Sequence, residues 1–596
     1  MIKQNELRES AKIGLIGGVV TLCLCMIGIV ESFNARDIIS ETFTLGQLLL
    51  FGAAAGVGLM AVQRQKLTGI VSVLVNGLVA GLLSGIPTFL LILIAQSWET
   101  IRDSFINVSP DLISFITFGS ENPTTGGIQL VLLFAGLGLL GAAFALLPER
   151  VKTAVTTGLL WSFGIGIMSE IVISILRARL SRDTMDMLFG SVGLQLGAFI
   201  GIFVVVTLFS FWWRQAGQQQ YTNLRENMSP SQLRVSNGVR NTLIVLFLLI
   251  LPSLLGIYLS EIFNNVALYV LMGLGLNIAV GLAGLLDLGY VTNFAIGAYV
   301  MALLTSNSEF GLAEPISFWL ALPICILAGM LAGFIFALPV LKMRGDYLAI
   351  ATLGFGEIIR ILARSDALKE VIGGAQGILQ VPQARIEGFF ANILETIILP
   401  INNFLEQWQL GILTVENGEI VFGTPPQLYY LLLLCSLLML IVSRQLNNSR
   451  TGRRWMAMRE DEDVAAAMGI NTTNAKVIAF TLSAASGGLA GAIFAAKLGS
   501  IFPQSFQLLI SVNVLSLIIV GGLGSLPGIV VGAFALIGVP ELLREFAEFR
   551  ILLYGIALIM MMLFRPEGLW PSEARRRELR MDEDGPPPQV AGQAAD

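Results

Sequence analysis

The chain is 596 residues long, 55% hydrophobic and only 13% charged, with a mean hydropathy of +0.78, whereas soluble domains run near half apolar and a quarter charged. A string of soluble domains is therefore excluded, and the small formal charge of −5, with basic residues at the edges of apolar runs rather than on one face, excludes a nucleic-acid binder. Histidine is absent, which removes the imidazole of metal sites and of Ser-His or Cys-His nucleophiles; no Gly-Lys dipeptide offers a phosphate-cradling GxxxxGK(S/T) loop, and neither catalytic residues nor a metal ligand set emerge.

The apolar residues fall in runs of about 17 to 28, the length a hydrocarbon core demands of a helix. The first, 13–32, exceeds a signal-peptide h-region and is followed by no small-x-small cleavage site, so it is expected to span. Runs at 44–62, 68–95, 127–147, 153–176 and 187–213 follow, predicting a six-span N-terminal region over 1–213. The polar stretch 214–240, with Arg214, Arg225, Arg234 and Arg240, reads as a cytoplasmic linker. Beyond it, runs at 241–260, 263–284, 288–306, 316–341, 347–363, 428–443, 476–497, 507–522, 527–542 and 549–564 predict a ten-span domain over 241–571. The expected fold class is all-α, a polytopic transmembrane helical bundle of about 16 spans, rich in glycine (63 residues) and with broken helices. The tail 572–596, charged and then rich in Pro, Gly and Ala, reads as disordered.

Lys3, Arg8 and Lys12 place the N-terminus in the cytoplasm, where positive charge gathers near span ends. Span parity then puts Arg64 and Lys66, Arg150 and Lys152, the linker, Lys342 and Arg344, the segment 444–475 and Arg575–Arg577 on the same side. Residues 220 and 455 and both termini are thus expected inside, and residue 400 outside. Arg177, Arg179 and Arg182 disagree, falling outside and offset only in part by Asp183 and Asp186. The external segments 97–126 and 364–427, the second dominated by Glu387, Glu395, Glu406, Glu416 and Glu419, read either as partner-facing surfaces or as solvated connectors. Cys23, Cys25, Cys325 and Cys435 lie inside apolar runs without CxxC spacing and read as inert, packed thiols.

Small-xxx-small pairs at Gly52 and Gly56, Gly487 and Gly491, and Gly528 and Gly532 predict close helix packing in lipid. From Gly521 to Gly528 the helix-weakening residues Gly521, Gly522, Gly524, Ser525 and Pro527 crowd together, which should break the span. A broken helix at membrane depth must line a cavity or be buried in protein, so these residues read as pathway-lining or as a tight turn. Glu357 and Arg360, three apart and able to pair on one helix face, read either as a pathway feature or as a structural pair. Asp287 is expected to be hydrated at the cytoplasmic interface, and Glu170 lies in a span with no partner that can be named.

Between Arg444 and Lys476 lies a polar, patterned segment containing a predicted short helix from about Glu460 to Met468. Arg459 precedes it; Glu460, Asp461, Glu462 and Asp463 favour the positive end of its dipole. Ala465, Ala466 and Ala467 propagate it, Gly469 supplies a left-handed stop, and Asn471, Thr472 or Asn474 can cap the next helix. Val464, Ala467 and Met468 form a small apolar patch. So short a helix is marginal alone and needs either its own membrane domain or a separate protein to pack on.

REDEDVAAAMGINTTNAKVIAFTLSAASGGLAGAIFAA, from Arg459, resembles the cytoplasmic coupling loop and following span of branched-chain amino acid ABC permeases of the LivM type. GLNIAVGLAGLLDLGYVTNFAIGAY from Gly275, LKMRGDYLAIATLGFGEIIRIL from Leu341, GGAQGI from Gly373, IVGGLGSLPG from Ile519 and FRPEGLWP from Phe564 are similar to that family in the same order. The resemblance covers about 240–571; residues 1–213 show none of these blocks. It implies a multi-pass protein of the bacterial plasma membrane that binds no cofactor itself. Its implied partners are a LivH-like second permease, two cytoplasmic ATPases carrying ATP and Mg, and a soluble substrate-binding protein. Arg459, Glu460, Asp461, Glu462, Val464, Ala465, Ala466, Met468 and Gly469 would then meet an ATPase groove, and Gly373, Gly374 and Gly377 the external binding protein. The implied substrates are leucine, isoleucine or valine, with other apolar amino acids and urea or short amides as alternatives. A membrane metalloprotease or Ser-His hydrolase lacks its histidine here, and an ion-coupled carrier would not explain the capped cytoplasmic helix.

Overall fold

The computed structural model describes residues 4–67, 69–97, 105, 107–177, 180–190, 192–214, 229–340, 343, 345–387, 396, 415–416, 419–542, 549–565 and 567–571. The expectations for Arg179, Arg225, Lys342, Arg344, Glu395, Glu406, residues 220 and 400 and the tail lie outside the described residues. The chain divides into two compact units, Met1–Asn241 and Thr242–Asp596.

In the first unit α1 (Gln4–Ile27), α2 (Ile29–Asn34) and a two-stranded ribbon, β1 (Asp37–Ile39) with β2 (Phe43–Thr44), precede α3 (Leu45–Gln65) and α4 (Ile70–Ser97). Then come α5 (Pro110–Ile116), α6 (Pro123–Ala145), α7 (Glu149–Ile167), α8 (Ser169–Leu176), α9 (Arg182–Leu188) and α10 (Leu196–Trp212). Thr44 starts α3 with a reciprocal capping box to Gln47, which satisfies two of the free amides at a helix start. Backbone approach is close where glycine permits it: a Cβ on Gly58 would lie 2.0 Å from the Gly138 carbonyl, and one on Gly81 2.3 Å from that of Phe134. Gly52 and Gly56, expected to mediate such packing, meet nothing within 4 Å. Four-residue spacing marks a face without saying which face meets a neighbour, and on α3 the contact falls to Gly58. Cys23, expected to be packed inside, is exposed, while Cys25, Cys325 and Cys435 are buried; two residues on a helix turn Cys23 to the opposite side from Cys25. Burial lowers the pKa of the Arg36 guanidinium, and the nearby Glu170 carboxylate offsets this in part. The segment 97–126 is more than a connector: α5 buries Leu112, Ile113 and Ile116 in the core of this unit.

The second unit is entered along α11 (Pro230–Asn277), which continues through a π-helical turn, Ile278–Leu282. The sequence reading interrupts this region at Glu261; the chain instead kinks at Gly256 (φ 73°), just after Pro252, because glycine tolerates the left-handed backbone and proline removes an amide. Glu261 stays helical because Lys497 pairs with it at 2.8 Å. Next are α12 (Tyr290–Thr305), α13 (Phe318–Val340), α14 (Asp346–Arg364), α15 (Lys369–Ile372) and a three-stranded antiparallel sheet in the order β3 (Arg385–Ile386), β5 (Glu419–Val421), β4 (Val415–Glu416). The segment 364–427 is therefore partly structured rather than wholly a connector. The unit closes with α16 (Pro425–Asn447), α17 (Arg450–Glu460), α18 (Glu462–Ala467), α19 (Thr472–Leu498), α20 (Leu508–Gly521), α21 (Leu526–Ala533), α22 (Val539–Leu542) and α23 (Arg550–Phe564). Its centre is α19 against α12 and α13, where a Cβ on Gly491 would lie 2.0 Å from the Phe294 carbonyl and one on Gly297 2.2 Å from that of Gly488.

The all-α bundle is as expected, and each of the sixteen apolar runs carries helix. Among the described residues ten helices are long and apolar enough to cross a membrane, or eleven if α7 and α8, bent by 74°, make one span. Leu196–Trp212, Tyr290–Thr305 and Leu526–Leu542 are apolar but shorter. The run 187–213 loses its start to a hairpin in which Phe189 bridges Leu194, so length and composition alone do not reach sixteen.

Candidate functional site

The segment 444–475 is two helices rather than one. Ser449 caps α17, accepting from the Gly452 amide at 3.0 Å, and α17 buries Gly452, Trp455 and Met458. Trp455 is fully buried and donates its ring N–H to the Ala475 carbonyl at 2.9 Å. Asp461 then caps α18, accepting from the Asp463 and Val464 amides at 2.9 Å each. Gly469 ends the turn at φ +85°, and Asn471 caps α19 through the Asn474 amide. Glu460 thus closes α17 instead of opening α18, because the extended backbone at Asp461 separates the two.

Within α18 the residues divide sharply. Ala465 is 3% exposed and faces its own unit, whereas Val464 is 59% and Met468 79% exposed, with Ala466 and Ala467 also exposed. Glu462 pairs with the buried Lys476 at 2.7 Å. Arg459 donates to the Gly281 carbonyl at 2.7 Å, inside the π-helical turn, and pairs with Glu460 at 2.8 Å. The apolar, acid-flanked face of α18 is therefore presented outward by a base anchored on Trp455, Lys476 and Arg459.

The break after α20 is built by Gly522 (φ +116°) and Gly524 (φ +74°). A Cβ on Gly521 would lie 2.1 Å from the Gly528 carbonyl, and Ser525 caps α21 through the Gly528 amide at 3.1 Å. Two of the freed carbonyls are taken within the chain: Leu569 donates to Val520 at 2.7 Å and Trp570 to Gly521 at 3.0 Å. The Gly524 amide is taken by Asn277 Oδ1 at 3.2 Å. This geometry is that of a tight, internally satisfied turn.

Glu357 and Arg360 form a two-pronged pair, with Arg360 Nε to Oε2 at 2.6 Å and Nη2 to Oε1 at 3.0 Å. Arg360 lines a hollow with Thr292, Tyr299, Gly356 and Phe506. A second hollow is lined by Asp287, Thr292, Asn293, Phe336, Phe355 and Phe480. Asp287, expected to be hydrated, is 3% exposed and accepts from the Gly289 amide at 2.9 Å; the loop that carries it folds inward instead of projecting into water. Gly373, Gly374 and Gly377 all have positive φ, and a Cβ on Gly377 would lie 2.0 Å from the Ile501 carbonyl. Ile378 and Ile501 exchange backbone hydrogen bonds there at 2.9 and 2.8 Å, so these glycines shape a crossing of two strands. Sequence reasoning missed Trp455, Lys476, Lys497 and Glu261; a buried Trp and Met three apart in a basic segment was the available signal for α17.

Among the described residues no group of three or more Cys, Asp or Glu could hold a metal ion. Apolar helices, charges neutralised in pairs within them, glycine-broken spans and an anchored helix outside the bundle define a polytopic helical membrane protein. The family described as branched-chain amino acid transport system, permease component, matches residues 258–565, a little over half the chain, and the chain belongs to that family. Similar proteins include the high-affinity branched-chain amino acid transport system permease protein LivM of Salmonella typhimurium, 40% identical over 322 residues, 54% of this chain and 72% of that protein. LivH of the same organism is 26% identical over 319 residues, 52% of this chain and 95% of that protein. A probable LivM of Methanocaldococcus jannaschii is 23% identical over 337 residues, 52% of this chain and 84% of that protein. No solved structure matches the chain.

Proposed function

We propose that the chain is the transmembrane permease subunit of an ATP-driven importer that carries leucine, isoleucine or valine across the bacterial plasma membrane. In this reading it pairs with a LivH-like permease, takes substrate from a soluble binding protein at the Gly373–Gly377 face, and is driven by two cytoplasmic ATPases that hold ATP and Mg. No covalent step falls to this chain. The observation that carries the reading is α18, a capped helix of six residues with an outward apolar and acidic face and a rigid base. Such a face gains from burial against another protein, and Glu460, Asp461 and Asp463 suit a basic groove. Movement of α18 would reach the membrane helices through Arg459, which holds the Gly281 carbonyl, and through Asn277, which holds Gly524.

The test is uptake of labelled leucine by the reconstituted complex. ATP-dependent uptake that requires the binding protein is expected. Uptake of urea but not leucine, or leucine uptake driven by an ion gradient without ATP, would overturn the proposal.

A further inference from the structure

The hollow between α12, α13, α14 and α19 combines groups that membrane packing alone does not call for. Asp287 is a buried carboxylate at its floor, and among the described residues no cation pairs with it. Burial of a charge without a counter-ion is costly. Beside it Thr292 and Asn293 are 1% and 5% exposed, yet Thr292 Oγ1 and Asn293 Oδ1 lack any hydrogen-bond partner among the described residues. Buried polar atoms are nearly always satisfied, so two neighbouring exceptions beside a buried carboxylate with no cation among the described residues point to a polar guest in this hollow. Its walls are apolar and aromatic, with Phe336 stacked on Phe355 at 5.3 Å and Phe480 facing the same space.

We propose that this hollow is a binding station for a free α-amino acid with an apolar side chain. The substrate's ammonium group has three donors and no acceptor, which matches the second oxygen of the Asp287 carboxylate, the first being taken by the Gly289 amide, and Asn293 Oδ1. The Thr292 hydroxyl is a free donor for the substrate carboxylate. The side chain lies against Phe336, Phe355 and Phe480. Arg360 does not share this guest: it stands eight residues along α14 from Thr352, roughly 12 Å at the helical rise, too far for the two ends of one amino acid. Thr352, whose hydroxyl accepts from the Leu288 amide at 3.0 Å, tethers α14 to the Asp287 loop at this end. At Gly356 a Cβ would meet Val291 and Thr292 of α12 at 3.6 and 3.7 Å, so α14 and α12 are in ordinary van der Waals contact there and entry of the substrate requires them to part. The inference deepens the importer reading and rests on it.

The experiment is equilibrium binding of labelled leucine to the purified full-length chain with its co-purifying subunits, the binding protein being left out, alongside uptake by the complete system. Wild type is expected to bind leucine, to be competed by isopentylamine, which keeps the ammonium and the side chain, and to ignore 4-methylpentanoate, which lacks the ammonium. Asp287→Asn should weaken leucine binding about tenfold or more, the scale of a lost charge-assisted hydrogen bond. Competition by 4-methylpentanoate but not by isopentylamine would overturn the station even if the Asp287 variant fails to fold, as would absent binding. If uptake of leucine stays intact while binding shows either of these results, the station is wrong and the importer stands. If the complete system takes up no apolar amino acid, the importer reading fails and takes the station with it.

Discussion

Gly469 has open space where a Cβ would be, so its requirement is purely conformational. Gly469→Ala should cost about 1 kcal/mol of backbone strain and lower transport, while Gly469→Asn, better suited to the left-handed region, should recover part of it. Leucine uptake by the two variants at matched membrane levels measures this; equal, unimpaired uptake would show that the turn geometry does not matter. Trp455→Ala should be harsher, about 3–5 kcal/mol for an emptied aromatic site, read as a lowered unfolding temperature and easier proteolysis of 444–475. Gly469 was legible in the sequence because a helix stop is local chemistry. Trp455, Lys476 and Lys497 were not, since their partners Ala475, Glu462 and Glu261 lie 14 to 236 residues away by number and nothing in a single sequence pairs them.

At the scale of the element, α18 separates docking from folding. Val464→Glu and Met468→Glu change exposed side chains and should leave the unfolding temperature within about 1 °C, a shift worth less than 0.5 kcal/mol, yet abolish co-purification of the ATPases. Ala465→Leu overfills a buried site and should cost about 1–3 kcal/mol, destabilising the loop itself. Retention of the ATPases by both glutamate variants would make α18 an ordinary loop. The helix and its caps could be read from Asp461, Gly469 and Asn471. That α17 precedes it, and that Glu460 belongs to α17, could not, because the boundary depends on the extended backbone at Asp461. The break at Gly521–Gly528 was equally plain, but its partners Leu569 and Trp570 came from a separate stretch of sequence that carried no hint of pairing.

For the whole molecule, the first unit has its own buried core, including Cys25, Leu50, Ile92, Leu130 and Phe134, and the family match begins at residue 258. Deleting 1–213 is therefore expected to leave measurable leucine uptake; none at normal membrane abundance would make the first unit part of the machine. Orientation can be checked with Met468→Cys, 79% exposed in this chain, produced without the ATPase subunits that would cover it and with Cys23 replaced by serine. Impermeant thiol reagent should label it only after cells are opened, and labelling in intact cells would invert the topology. The helical class was legible because hydrocarbon thickness imposes run length on the sequence. The number of crossings was not, because short helices such as α10, α12 and α21 can enter without traversing, a distinction made by neighbours rather than by composition.

The crossing of Leu569 and Trp570 onto Val520 and Gly521 also sets an order of manufacture. These donors are about fifty residues C-terminal to their acceptors, a few seconds of synthesis at bacterial rates. Until they leave the ribosome, the Val520 and Gly521 carbonyls at the broken end of α20 lack these donors. The nascent chain thus carries an unfinished seam that Leu569 and Trp570 close, and a chain ending before Leu569 is expected to be degraded faster than the full chain, which a pulse-chase in membranes measures.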